Sequence, residues 1–581
     1  MIRGSATIAL LATSLAAIVA GCADTGARET IGATANSAPA PQDAALAAEA
    51  IVVTGARRID GIAPPPPPQA PPPPPPAPPA PMPFAHAPMA VMSPPAERFA
   101  PPYRDVARDR FTATRQNPFK QVAAEPVSTF SLDVDTASYA FVRASLDRNV
   151  LPQPDAVRAE EMINYFPYDY APARSAAEPF STNLAVFASP WSAGRLIVRV
   201  GVRGYDVQRA SRPHANLVFL VDTSGSMNEA NKLPLVKQSL GLLLDQLGPQ
   251  DRVAIVAYAG SAGTVLEPTS AAQKTRIMAA LDRLGAGGST AGAEGIRQAY
   301  ALAEQNFEAN GVNRVILATD GDFNVGITSQ DELKGYIERQ RDKGVFLSVL
   351  GFGMGNYNDA LMQTLAQNGN GVAAYIDTLA EARKTLVDEA TSTLFPIAKD
   401  VKVQVEFNPA AVAEYRLIGY ETRMLAREDF NNDHVDAGDV GSGSTVTALY
   451  EIVPTGGART ADALRYARPA TGAKAGGELG FVKIRYKLPK ASTSKLIARP
   501  IGAALTVVRF ADAPQDARFA TAVAGFAELL RGGKYAGGMS YDDVLRIADG
   551  AKGTDPFGYR TEFVRLVRAA KSARAMPTLD R

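Results

Sequence analysis

Asp222-Thr223-Ser224-Gly225-Ser226 carries oxygen-bearing side chains at alternate positions, directly after the apolar run Leu217-Val218-Phe219-Leu220-Val221. One carboxylate and two hydroxyls at i, i+2 and i+4 of a tight turn can be aimed at a single point. Hard oxygen donors gathered in this way suit Mg²⁺, or Mn²⁺ or Ca²⁺, rather than zinc. Two further oxygen ligands fall at comparable places. Thr290 closes the glycine-rich turn Gly287-Gly288-Ser289-Thr290, and Asp320 ends the buried-strand pattern of residues 314–319. Asp322 and Asn324 follow closely enough to support an ion from behind the ligands. The competing reading of DTSGSM is a helix N-cap without metal.

The elements that must position these residues can be read from hydrophobic period. Residues 217–221 form a short β-branched-rich run, the pattern of a strand buried on both faces. A loop at the carboxyl end of a central parallel strand is where open α/β sheets place their ligands. Across 214–396, strand patterns at 252–258, 314–318, 345–351 and 372–376 alternate with helical patterns at 232–247, 271–284, 291–310 and 330–343, and from 358 and 379. Such alternation predicts an α/β fold with a doubly wound, mostly parallel sheet covered on both faces. Strand-like runs at 184–188 and 196–201 precede this region, and period-2 runs at 401–407, 448–453 and 481–488 follow it. The expectation is a half-exposed antiparallel, β-rich domain into which the metal-binding domain is inserted.

In their order and placement, Asp222, Ser224, Ser226, Thr290 and Asp320 resemble the complete metal-ion-dependent adhesion site of the von Willebrand factor A-domain family. Longer blocks carry a second resemblance: STFSLDVDTASYAFVR (128–143), EEMINYFPYDY (160–170), VDTSGSM (221–227), ATDGDFNVG (318–326), IAKDVKVQVEFNPA (397–410) and YRLIGYETR (415–423). Together they resemble the bacterial YfbK-type von Willebrand A-domain lipoproteins over about residues 104 to 581. The resemblance implies a Rossmann-like A domain in which Ser224, Ser226 and, in the high-affinity state, Thr290 coordinate the ion directly. Asp222 and Asp320 would act largely through bound waters. A Glu or Asp side chain of a protein partner would then complete the shell.

Composition narrows the partners. With 60 basic and 59 acidic residues the chain has no basic footprint for nucleic acid. Residues 1–21 combine one Arg, an apolar stretch at 8–20 and a small-residue end, which reads as a secretory signal too short to span a membrane. Cys22, the only cysteine, follows Val19-Ala20-Gly21 and resembles a bacterial lipobox cysteine, lipidated to become the mature N-terminus. An ordinary cleaved signal with a leftover thiol is the alternative. Ala23 in the next position favours the outer membrane under the sorting rule of enteric bacteria, with the body in the periplasm or at the surface.

Residues 22–103 read as a disordered tether, and 64–102 as a polyproline II stalk. Within the tether, Ile51-Val52-Val53-Thr54-Gly55 is an isolated β-prone patch. It is similar to a segment of TonB-dependent receptors and open to a strand-addition partner. Residues 104–178 form an N-terminal segment with a strand at 128–135 and a helix at 136–149, Asp133 and Asp135 reading as strand end and N-cap. A second helix is expected from Asp155, whose carboxylate would cap it. Residues 179–213 supply strands to the later β-rich domain at 397–500, and 501–581 is helical, at 518–530, 541–548 and 559–573. Asp429, Asn431 and Asp433 open like an EF-hand loop. His434 stands where that loop needs Gly and Val440 where it needs Glu, so a polar turn is expected.

An enzyme reading has little to stand on. The three histidines, His86, His214 and His434, are scattered, and no Ser-His-Asp, HExxH or second metal cluster is visible. The expectation is a non-catalytic envelope lipoprotein that binds a protein partner through a divalent ion. A structural or scaffolding envelope protein and an accessory subunit of a larger complex are the alternatives, with a metal-dependent hydrolase behind them.

Overall fold

The computed structural model describes residues 109–208, 211–290, 292–321, 330–462 and 477–575. All lie within one compact unit, Pro95–Arg581. The readings placed on the signal, Cys22, the 51–55 patch and the proline stalk, and on Asp322 and Asn324, fall outside the described residues.

The alternating region folds into one six-stranded sheet, in the order Ala373–Ile376, Val345–Phe352, Val312–Thr319, Ala215–Asp222, Arg252–Tyr258, Ala262–Ser270. The first five strands are parallel and the sixth is antiparallel. Ala215–Asp222 is buried along its whole length. Its odd-numbered side chains Leu217, Phe219 and Val221 pack with Val236, Leu240 and Leu243 of the helix Leu233–Leu244. Val218 and Leu220 pack on the opposite face with Ile296 and Ala299 of the helix Gly292–Gln305. Double-sided burial explains why this strand is a continuous apolar run. Chain order reverses on either side of it, which makes its carboxyl end the switch point of the sheet.

The antiparallel edge strand Ala262–Ser270 departs from the expected strict alternation. Its sequence, AGTVLEPTS, is only partly buried and contains Pro268, tolerated here because an edge strand leaves one backbone row unpaired. The expected last helix is also interrupted, running as Leu379–Arg383, a π turn at Lys384–Asp388, and Ala390–Leu394.

Two antiparallel layers flank this sheet in sequence. One has the order Lys120–Gln121, Val412–Ile418, Thr445–Pro454, Leu196–Gly204, Phe180–Ala188, Thr506–Val507, its last pair parallel. The other runs Gly438–Gly441, Pro396–Phe407, Glu478–Lys487, Lys495–Gly502, with Val127–Ser131 also pairing to Pro396–Phe407. Val198, Val200 and Tyr450 of the first share a core with Val403, Val405 and Ile484 of the second, so the layers form a sandwich. The expected half-exposed alternation holds for Glu478–Lys487 and is corrected for Thr445–Pro454. Thr445–Pro454 is buried at all but its two terminal residues, because the helices Gln515–Leu530 and Ala159–Asn164 cover the outer face.

The N-terminal segment is a hub. Helix Ala137–Asp147 gives Ala140 and Phe141 to the core of the parallel sheet, and Tyr139, Val142 and Leu146 to the core of the C-terminal helices. The capping roles expected of its acids are not found. Thr136 makes no side-chain cap, and Asp133 and Asp135 instead hold the half-buried Arg423 at 2.9 and 3.0 Å. Asp155 lies in the short 3-10 turn Pro154–Ala156, and the helix begins at Ala159 without a side-chain cap. The polar turn at 429–433 is lysine-bound: Lys402 Nζ donates to the backbone carbonyls of Asp429 and Asn432.

Candidate metal centre

The switch-point loop gathers the first three residues. Asp222 ends the central strand, fully buried, and its Oδ1 accepts the Ser224 backbone N–H at 2.9 Å. That bond turns the chain so that Ser224 Oγ and Ser226 Oγ stand 3.1 Å apart. Ser224 is buried and Ser226 exposed, so the pair opens to solvent on one side.

The glycine-rich turn is tied to this loop through its backbone. Gly287 N–H donates to Thr223 O at 2.8 Å, and Gly225 N–H donates to Gly288 O at 3.1 Å. Gly288 has φ +84°, a left-handed conformation that suits glycine. The half-buried Thr290 lies two residues beyond this contact. Asp320 is fully buried at the end of the neighbouring strand, close enough for its charge to act on Asp222. Gly321, at φ +104°, turns the chain away beneath 356–358, where a Cβ would lie 2.7 Å from Asn358 N.

Three residues missed in the sequence complete the arrangement. Tyr258 OH and Thr319 Oγ1 donate to Asp222 Oδ2 at 3.2 and 3.0 Å. Tyr258 is the register partner of Asp222 on the adjacent parallel strand, so a strand alignment places it there, whereas local sequence does not. Lys232 Nζ donates to Asp320 Oδ2 at 3.0 Å, and no pattern in the sequence marks that lysine. Burial pushes the Asp222 carboxyl up from its usual range, the bonds from Ser224 oppose that, and Asp320 adds to it.

Two carboxylates and a set of hydroxyls make a hard, oxygen-only donor set, which fits Mg²⁺, Mn²⁺ or Ca²⁺. Among the described residues no group of three or more His, Cys, Asp or Glu side chains forms a softer or more acidic alternative.

Fold and sheet order define a von Willebrand factor type A domain protein. The model of the von Willebrand factor type A domain matches residues 216–389. One described as von Willebrand factor matches 105–199, and one described as the C-terminal region of uncharacterized protein YfbK matches 392–573. Uncharacterized protein YfbK of Escherichia coli is 46% identical over 471 residues, covering 79% of this chain and 81% of that one. The chain belongs to this YfbK family. Human inter-alpha-trypsin inhibitor heavy chain H4 is 25% identical over 202 residues, 33% of this chain and 21% of its own length. A von Willebrand factor type A structure from Catenulispora acidiphila covers 67% of this chain and 89% of its own at 16% identity, with TM-score 0.40. Proximal thread matrix protein 1 of the mussel byssus, solved with a zinc-occupied site of this type, is 24% identical over 33% of this chain and 48% of its own, with TM-score 0.26.

Proposed function

We propose that this chain is a non-catalytic, metal-dependent protein-binding lipoprotein of the bacterial envelope. In this reading Ser224, Ser226 and Thr290 hold Mg²⁺, or Mn²⁺ or Ca²⁺, while Asp222 and Asp320 act on it largely through water. The observation that carries the reading is the facing pair of hydroxyls, 3.1 Å apart and open to solvent, above two fully buried carboxylates. Asp222 spends both oxygens on protein donors, leaving the hydroxyls as the outward-facing groups. An ion held chiefly by neutral oxygens stays electrophilic, and the partner's Asp or Glu supplies the missing anionic ligand. Asp322 and Asn324 would support the ion from behind.

The lipid on Cys22 would hold the body at the outer membrane across the proline stalk, and Ile51–Gly55 is a second, strand-adding contact. Among the described residues no helix is long and apolar enough to cross a membrane. The test is a pull-down from envelope extract by the full chain, with and without EDTA, compared with Asp222→Ala. Metal-dependent binding predicts that a partner retained by the wild type is lost in EDTA and in the variant. Partner capture unchanged by EDTA and by Asp222→Ala, with the fold intact, favours the scaffolding role instead.

A further inference from the structure

The metal-site reading does not account for Lys232. This side chain is 4% exposed, and its ammonium lies 3.0 Å from the fully buried Asp320. The other carboxylate near it, Glu229 at 3.9 Å, is on the surface. Its stem crosses Gly353, a residue at φ +74° where a Cβ would fall 2.4 Å from Lys232 Cε. The glycine thus leaves a channel shaped to the lysine arm, which delivers a fixed positive charge to the floor of the site.

We infer that Lys232 is a specificity-determining residue: a resident cation that keeps metal affinity modest and makes the metal and an acidic ligand bind cooperatively. This inference rests on the metal-binding reading above. Asp222, Asp320 and Lys232 together carry one net negative charge. A divalent ion converts that to one net positive charge, whereas without the lysine the loaded site would be neutral. Like charges in a partly desolvated site repel strongly, so the ion is held less tightly than five oxygen ligands alone would hold it. An incoming carboxylate removes the excess charge, and thermodynamic linkage then requires ion and acid to tighten each other by the same factor. A lysine that only supports the fold would leave that mutual tightening unchanged when it is replaced.

Titration calorimetry on the full chain separates these roles, with Mn²⁺ as the ion and acetate as the acidic probe. For Lys232→Met, which retains an aliphatic arm over Gly353, we expect Mn²⁺ to bind at least about tenfold more tightly than in wild type. The mutual tightening between Mn²⁺ and acetate is reduced in that variant and is kept in Lys232→Arg. Equal Mn²⁺ affinity in wild type and Lys232→Met, or unchanged coupling, overturns the inference. Should Lys232→Met not fold without metal, its thermal midpoint against Mn²⁺ becomes the readout. Recovery supports the inference, because the ion takes over the lost counter-charge, and no recovery overturns it. A wild-type chain that takes up no Mn²⁺ sinks the metal-site reading itself. Uptake with equal affinities leaves that reading standing and removes only the role of Lys232.

Discussion

At the scale of residues, the site is an Asp222 carboxylate saturated by its own protein. Ser224 N–H takes one oxygen, and the Tyr258 and Thr319 hydroxyls share the other. Tyr258→Phe removes one of these donors, so we expect a loss of about 1 kcal/mol in urea unfolding and a weaker grip on the ion. A variant as stable as wild type would show that the bond contributes nothing. The five candidate oxygen ligands were picked out by residue type, because a divalent hard ion calls for Asp, Ser and Thr at loop positions. Tyr258, Thr319 and Lys232 were not legible, since each reaches the site through strand register or a helix start and any polar residue fits the local pattern.

At the scale of elements, the loop 353–358 packs behind Asp320-Gly321 and is strapped from the far end of the chain. Asp109 Oδ1 accepts Gly355 N–H and Tyr357 N–H, both at 2.9 Å, and Arg110 N–H donates to Tyr357 O at 2.8 Å. Asp109→Ala leaves two backbone donors without that carboxylate, and we expect it to cost about 1–3 kcal/mol in chemical denaturation. Gly353→Ala puts a Cβ into the lysine arm at a left-handed backbone position. Calorimetry on this variant is expected to show tighter Mn²⁺ uptake, as in Lys232→Met; wild-type affinity in a folded Gly353→Ala would mean that the arm finds another route to Asp320. The central strand was legible because both of its faces are buried and its run Leu217–Val221 is wholly apolar. The edge strand Ala262–Ser270 was not, because its half-exposed face and Pro268 give it the composition of a loop. The N-cap expected among Asp133 and Asp135 misled for a related reason: the Arg423 guanidinium competes for those carboxylates more strongly than a free helix amide does.

At the scale of the whole molecule, buried ion pairs lock the N-terminal segment to its neighbours. Arg143 meets Asp377 at 2.8 Å through Nε, Glu381 at 2.8 Å and Glu562 at 3.0 Å. Arg158 reaches Asp359 at 2.6 Å and also pairs with Glu161. Arg143→Met strands Asp377 and Glu381 in the interior, and we expect a loss of about 3–5 kcal/mol by urea denaturation. No such network can be read in one dimension, because all its pairs but Arg158–Glu161 join residues hundreds of positions apart that look like surface charges.

Burial gives the molecule a pH profile as well. Among nearby carboxylates, Glu160 is pushed up to about 8 and Asp439 to about 8. An unfolded chain releases those protons near pH 4, so between pH 5 and 8 the native state binds more protons and loses stability as pH rises. Asp433 and Asp543, held down to about 2 by Ser494 and Ser540, act oppositely and lose their contribution as pH falls from 4 toward 2. Thermal midpoints should therefore peak near pH 5 and decline toward pH 8.5, with a flatter decline in Glu160→Gln. A midpoint that climbs from pH 5 to 8 would contradict this reading.

The most direct test is a calorimetric titration of the full chain with Mg²⁺, beside Asp222→Ala of unchanged circular dichroism. We expect saturable uptake of one ion per chain in the wild type and none in the variant. A folded wild-type chain that registers no uptake at millimolar Mg²⁺ would contradict the metal centre on which the proposed function depends.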